Sequence, residues 1–123
     1  MDIRGGIGLS TITINIDNTN YTATLFDNPV AEEIRNLLPM ELTMHDLNDN
    51  EKYHNFSQTF SVKPKDINHI HKGDIMLYQD NCLVIFYEDF ETDIQYTPIG
   101  KIDHITDLEI LKQQPDVKVN FII

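Results

Sequence analysis

A chain of 123 residues suits one domain, large enough to bury a core without disulfide or metal staples and too short for a second domain. Nine Lys and Arg against 20 Asp and Glu leave a net charge of −11, which repels phosphate backbones and anionic lipid and so argues against nucleic acid and membrane surfaces as partners. The single cysteine, Cys82, closes no intrachain disulfide and stands in the apolar run CLVIFY, where a thiol behaves as a small hydrophobe, so a reducing, cytoplasmic setting is expected.

The opening MDIRGGIGLS has neither the basic head nor the apolar stretch of a leader, and residues 1–9 are expected to form a flexible N-terminus to a single domain spanning 1–123. No run reaches the length of a membrane helix. In residues 11–16, Thr11, Thr13 and Asn15 alternate with Ile12, Ile14 and Ile16, the period of a strand with one dry face. Asp17-Asn18-Thr19-Asn20 is turn chemistry and YTATLF returns, so residues 11–26 read as a hairpin.

Asn28 is placed to accept from the first free amides of a helix, Pro29 fits its first position, and Glu32 and Glu33 suit its positive end. Val30, Ile34, Leu37 and Leu38 recur at helical spacing until Pro39 ends the helix, which is expected to lie across one open end or face of the strands. Met40, Leu42 and Met44 then alternate with Glu41, Thr43 and His45 as a third strand.

From His45 to Lys72 the pattern fails for 28 residues, rich in Asn, Asp, His and Lys with isolated aromatics. Loops that long are uncommon in compact domains and are often functional or mobile. A short strand around residues 58–62 would break the stretch. Residues 74–79 and 82–88 read as a second hairpin across Asp80-Asn81, residue types that accept positive φ in a two-residue turn. CLVIFY is apolar at every position, the mark of a strand covered on both faces.

TPIGKID, residues 97–103, reads as a further strand with Gly100 marking a bulge or a close backbone approach. Thr106 and Glu109 have the spacing of a capping box, and Ile105 and Ile110 that of a hydrophobic staple, so a second short helix is expected with Leu108 and Leu111 buried. Pro115 and Asp116 break it, and Val117, Val119, Phe121 and Ile123 alternate inward as a final strand. Seven or eight strands with an early and a late helix indicate a mainly β fold, an antiparallel barrel without parallel crossovers.

The blocks TATLFDNPVAEEIRNLLPMELTMHD, EK at 51 and 52, GDIMLY, NCLVIFYEDF and PIGKID occur in an order that resembles the bacterial cyclophilin-like fold family, small domains without one established activity. The resemblance implies a cyclophilin-like antiparallel β-barrel capped by two short helices. It does not imply peptidyl-prolyl isomerase activity. Cyclophilins carry an Arg in a motif resembling FHR, followed by GFMIQGGD, whereas GDIMLYQDN lacks that core and the arginines here are Arg4 and Arg35.

Candidate chemistry follows from residue type. His69 and His71, two apart on an extended segment, would point the same way, with Asp66, His45 or His54 as further ligands; without a third ligand at diagnostic spacing they read as an ordinary polar loop, and no metal or cofactor is assigned. Glu88, Asp89, Glu91 and Asp93 crowd one exit, a spacing that fits a solvated edge discouraging strand pairing better than a calcium loop. No Gly-x-Ser-x-Gly elbow or phosphate-cradling loop is present in the sequence.

Tyr53, Phe56, Phe60, Tyr78 and Tyr87, with Glu51 and His54, are instead candidates to line a groove between the barrel wall and the 45–72 segment, where aromatic faces supply contact area. The expected function is binding of a small molecule or a peptide. The alternative is an enzyme in the same groove, a weak isomerase or a hydrolase or lyase, with Glu51, His54 or Tyr78 as acid or base.

Overall fold

The link Asp17-Asn18 has positive φ at both residues, 49° and 66°, the backbone that Asp and Asn tolerate best and that a two-residue hairpin needs. It joins β1 (Ser10–Ile16) to β2 (Thr19–Leu25), with Ile16 opposite Thr19. The computed structural model describes residues 10–105 and 108–123; the expected flexible N-terminus at 1–9 and the expected cap at Thr106 lie outside these.

After the hairpin comes α1 (Pro29–Arg35), capped as its sequence indicates: the Asn28 side chain accepts from the Ala31 N–H at 2.8 Å. Val30, Ala31 and Ile34 point into the core, so the helix plugs the strand assembly as an amphipathic element does. The remaining strands are β3 (Met40–Leu47), β4 (Glu51–Asn55), the short β5 (Lys65–Asp66) and β6 (His69–Ile70), β7 (Asp74–Tyr78), β8 (Cys82–Phe86), the short β9 (Phe90–Glu91), β10 (Gln95–Ile102) and β11 (Asp116–Ile122).

Among the described residues, eight strands pair antiparallel in the order β2-β1-β11-β3-β4-β8-β7-β10, and β10 pairs back onto β2 to close the barrel. Its interior holds Ile12, Ile14, Ile16, Leu42, Met44, Ile75, Leu77, Leu83, Ile85, Ile99, Val119 and Phe121 with the helix residues. Each such side chain contributes about 1.5–3 kcal/mol by leaving water. The barrel with its β8 core and its two expected hairpins agrees with the sequence reading.

Four expectations are corrected. The second helix is a single 3-10 turn, Glu109–Leu111, with no side-chain cap, although Leu108 and Leu111 are buried as expected. The unpatterned stretch from 45 is not a loop throughout: β3 runs on to Leu47 and β4 occupies Glu51–Asn55, while no strand forms at 58–62. The second hairpin turns through three residues, since Tyr78 pairs with Cys82, and positive φ falls on Gln79. Ile123 is exposed, because β11 ends at Ile122.

Closure depends on Gly100. The β7 register shifts between Pro98 and Gly100, so both anticipated features, bulge and close approach, coincide. A Cβ at Gly100 would stand 2.2 Å from the Thr24 carbonyl oxygen and 3.1 Å from Leu25 Cα, backbone atoms that cannot rotate aside. Gly100→Ala is therefore expected to destabilise the fold by at least about 2 kcal/mol, read as a lower urea midpoint with slope unchanged; an unaltered midpoint would show that this seam does not need the missing side chain.

Candidate functional site

Paired residues in an antiparallel ladder project to one face, and this sorts the expected site residues. Leu83, Ile85 and Tyr87 face the barrel interior, whereas Val84 and Phe86 belong to a second cluster outside the wall with Ile70, Met76 and Tyr96. Glu51 lies opposite Phe86 and Tyr53 opposite Val84, so both are on the outer face, as is Tyr78, opposite Cys82. Tyr78 is exposed, its ring 6.0 Å from that of Tyr96.

The other four lie elsewhere. Tyr87 is buried in the interior. His54 meets the ring of Phe56 edge-on at 4.9 Å, and Phe56 meets Phe60 at 5.2 Å, with Phe60 in the interior cluster and Phe56 packed on it. The seven residues thus divide between two sides of the wall and do not line one cleft.

Beside Glu51, Lys52 projects the opposite way and is fully buried. Its ammonium donates to Asp46 Oδ1 at 3.0 Å and to the carbonyls of Gln114 at 2.6 Å and Pro115 at 3.3 Å. Tyr87 donates its hydroxyl to the same Asp46 oxygen at 2.5 Å. Burial alone would raise the Asp46 carboxyl, but hydrogen bonds from Tyr87 and Lys52 hold it below the usual carboxylate range. A buried charge with this many partners is satisfied, and removing one partner of such a pair costs about 3–5 kcal/mol.

Glu51 has no such partners: 7 % exposed, it makes no side-chain hydrogen bond or ion pair among the described residues. Burial, and then the Asp46 charge, raise its carboxyl to about 7. Burial and Glu51 together raise the Cys82 thiol to about 11 and Tyr96 to about 12, so Cys82 is a poor nucleophile near neutral pH. The acidic exit is spent on structure: Glu88 pairs with Lys112, Asp89 accepts from the Lys72 N–H, and Phe90–Glu91 pairs with His69–Ile70 over the outer cluster. The rings of His69 and His71 are 6.5 Å apart, and no group of three potential metal ligands gathers among the described residues.

From β4 the chain continues as a strap over residues 56–64. Phe56 donates its N–H to Asn81, Phe60 to Asp80, and Ser61 to the Glu33 carboxylate on α1; Lys65 then joins β10 opposite Tyr96. Between strap, helix and wall lies a groove of about 330 Å³, lined mostly by apolar surface from Asn28, Pro29, Val30, Ser61, Lys63, Pro64, Lys65, Thr97 and Pro98. It occupies the seam of the barrel: β10 pairs with β2 only at Gly100–Ile102 and with β5 only at Gln95 and Tyr96.

Thr97 stands at that seam. It lies opposite Leu77 and so on the interior side, it is 4 % exposed, and its buried hydroxyl has no hydrogen-bond partner among the described residues. Nearby polar groups are engaged, since the Asn28 amide donates to the Pro98 carbonyl at 3.0 Å. The sequence reading passed over Thr97, Lys63 and Lys65. The alternation that put Ile99 inward also puts Thr97 inward, and a hydroxyl at a core position was the available signal. Larger depressions of about 600 and 470 Å³ lie by Asp103 and His104 and over Glu41 and Lys118; both are lined about equally by polar and apolar surface, and none of their lining side chains is a buried polar group without a partner.

Comparison with known proteins adds the following. The sequence matches the model of the Cyclophilin-like family over residues 14–122. No curated protein matches it. The fold is similar to the solution structure of a hypothetical protein from Archaeoglobus fulgidus, with a TM-score of 0.58 at 19% identity, covering 99% of this chain and 98% of that one. At that identity the likeness speaks for the fold alone. Among the described residues no helix is long and apolar enough to cross a membrane.

Glu51 gives a pH dependence with a definite sign. Between its ordinary 4.5 and the folded value of about 7, the folded chain keeps a proton that the unfolded chain has released, so this contribution is complete below 4.5 and is lost as pH rises through 7. Glu51→Gln is expected to match the wild type near pH 4 and to exceed it by about 2–3 kcal/mol near pH 8. Urea unfolding at both pH values checks this; a wild-type-to-variant difference that stays flat with pH would contradict it.

Proposed function

Because the chain belongs to the cyclophilin-like family, and because its barrel seam parts beside an interior hydroxyl without a partner, we propose that it is a binding domain that holds a small molecule or peptide segment in the groove between strap and wall. The single observation carrying this is Thr97. A barrel lined by hydrocarbon gains nothing from a buried hydroxyl left unpaired, which costs about 1–3 kcal/mol. A ligand group seated in the adjoining groove would recover that cost.

Size and surface agree with this role. About 330 Å³ is at the small end of ligand sites, enough for one compact molecule or a few side chains. Val30, Pro29, Pro64 and Pro98 offer rigid apolar contact, and prolines hold their shape at little entropic cost on binding. Glu51, His54 and Tyr78, the candidate acids and bases, are not among the lining residues, so the groove as built favours retention over proton transfer.

Two-dimensional NMR of the labelled protein against a fragment and short-peptide library tests the proposal. Shifts are expected to gather at Val30, Ser61, Lys63 and Thr97. Thr97→Val should leave stability unchanged or raise it by about 1 kcal/mol while weakening the bound fragments. Shifts centred on Tyr53 and Tyr78, or a Thr97→Val protein that loses stability with binding intact, would overturn the assignment.

A further inference from the structure

We infer that the ligand of this groove is an organic anion, a small molecule with an apolar body and a carboxylate set between Lys63 and Lys65; the inference rests on the binding role proposed above. The chain carries nine basic residues in a net charge of −11, and two of them line this one apolar groove. Lys63 and Lys65 both line the groove, Lys63 from the strap and Lys65 from the start of β5, where it lies opposite Tyr96.

Of the other basic residues, Lys52 is committed to Asp46 and Lys112 to Glu88, while Lys72, Lys101 and Lys118 stand outside this groove. Lys63 and Lys65 make no ion pair among the described residues. The neighbouring carboxylates are engaged with other donors, Glu33 with the Ser61 N–H and Asp66 with the Gln95 amide. The overall negative charge acts on an arriving anion from distances at which physiological salt screens it, whereas groups lining the groove act at contact.

Thr97 fits the same ligand. A hydroxyl donates to a carboxylate as readily as it accepts from an amine, but an ammonium would place its charge beside two lysines. The lysines therefore select among the partners that the hydroxyl alone would admit. The volume favours a compact ligand: about 330 Å³ is at the small end of ligand sites.

The probes are hexanoate, hexanamide and hexylamine, titrated into the labelled full chain near neutral pH and followed by NMR, with acetyl-alanyl-leucine and its amide as a second pair. Hexanoate is expected to shift Val30, Lys63, Lys65 and Thr97 and to bind about tenfold more tightly than hexanamide, with hexylamine weakest. Lys63→Gln with Lys65→Gln should bring hexanoate down to the hexanamide level and leave hexanamide as it was. Tighter binding of the free-acid peptide than of its amide supports the same carboxylate preference, and its strength relative to hexanoate tells a chain terminus from a free acid. Equal binding of hexanoate and hexanamide in the groove overturns the anion assignment while the binding role stands. Hexanoate shifts that lie elsewhere, or are absent, also overturn it, and the library screen then judges the groove separately.

Discussion

The architecture depends on one close approach, the passage of β10 against β2 at Gly100. Three residue pairs, Gly100–Leu25, Lys101–Thr24 and Ile102–Ala23, join the two ends of the sheet, and only a residue without a side chain lets the strands meet there. Thr24 adds a side-chain tie, donating to both carboxylate oxygens of Asp103 at 3.0 and 2.9 Å. Because closure is confined to those pairs, β10 is free beyond the bulge to part from β2 and take up β5 instead. The groove is thus a by-product of how the barrel shuts.

A second constraint holds the far side. Lys52 ties β4 to β3 through Asp46 and to the chain before β11 through two carbonyls, and the Asp46 N–H donates to Pro115. A buried ammonium is costly to desolvate and tolerable only with its partners in place, so this cluster fixes register where hydrophobic contacts, being non-directional, would not. The outer face of β8 is covered separately by Ile70, Tyr96 and Phe90. That explains why CLVIFY is apolar without interruption.

Most of the barrel was legible because its strands obey alternation and its turns use Asp, Asn and Pro in their ordinary roles. The β4 strand was not, for a physical reason: its sequence EKYHN puts a buried Lys on one face and a buried Glu on the other, so the two-residue period that marks a strand is written in charges. The β6 and β9 strands, two residues each, are too short to show any period. Phe56 and Phe60 stood out as isolated aromatics in polar surroundings and suggested a ligand face; they are the anchors that a strap with few apolar residues needs. Tyr87 shares the parity of Leu83 and Ile85, and its interior position was readable. Which residues lined the seam was not, since that depends on where the β10 partners change, a matter of register that composition does not encode.

The strap has a consequence for how such a domain diversifies. It contributes one wall of the groove through Ser61, Lys63 and Pro64 yet takes no part in any strand pairing until Lys65 opens β5 against β10. Insertions or exchanges between its anchors at Phe60 and Lys65 would re-tailor recognition without asking any strand to re-pair. Evolution acting on this segment can change what is held while leaving the folding problem already solved.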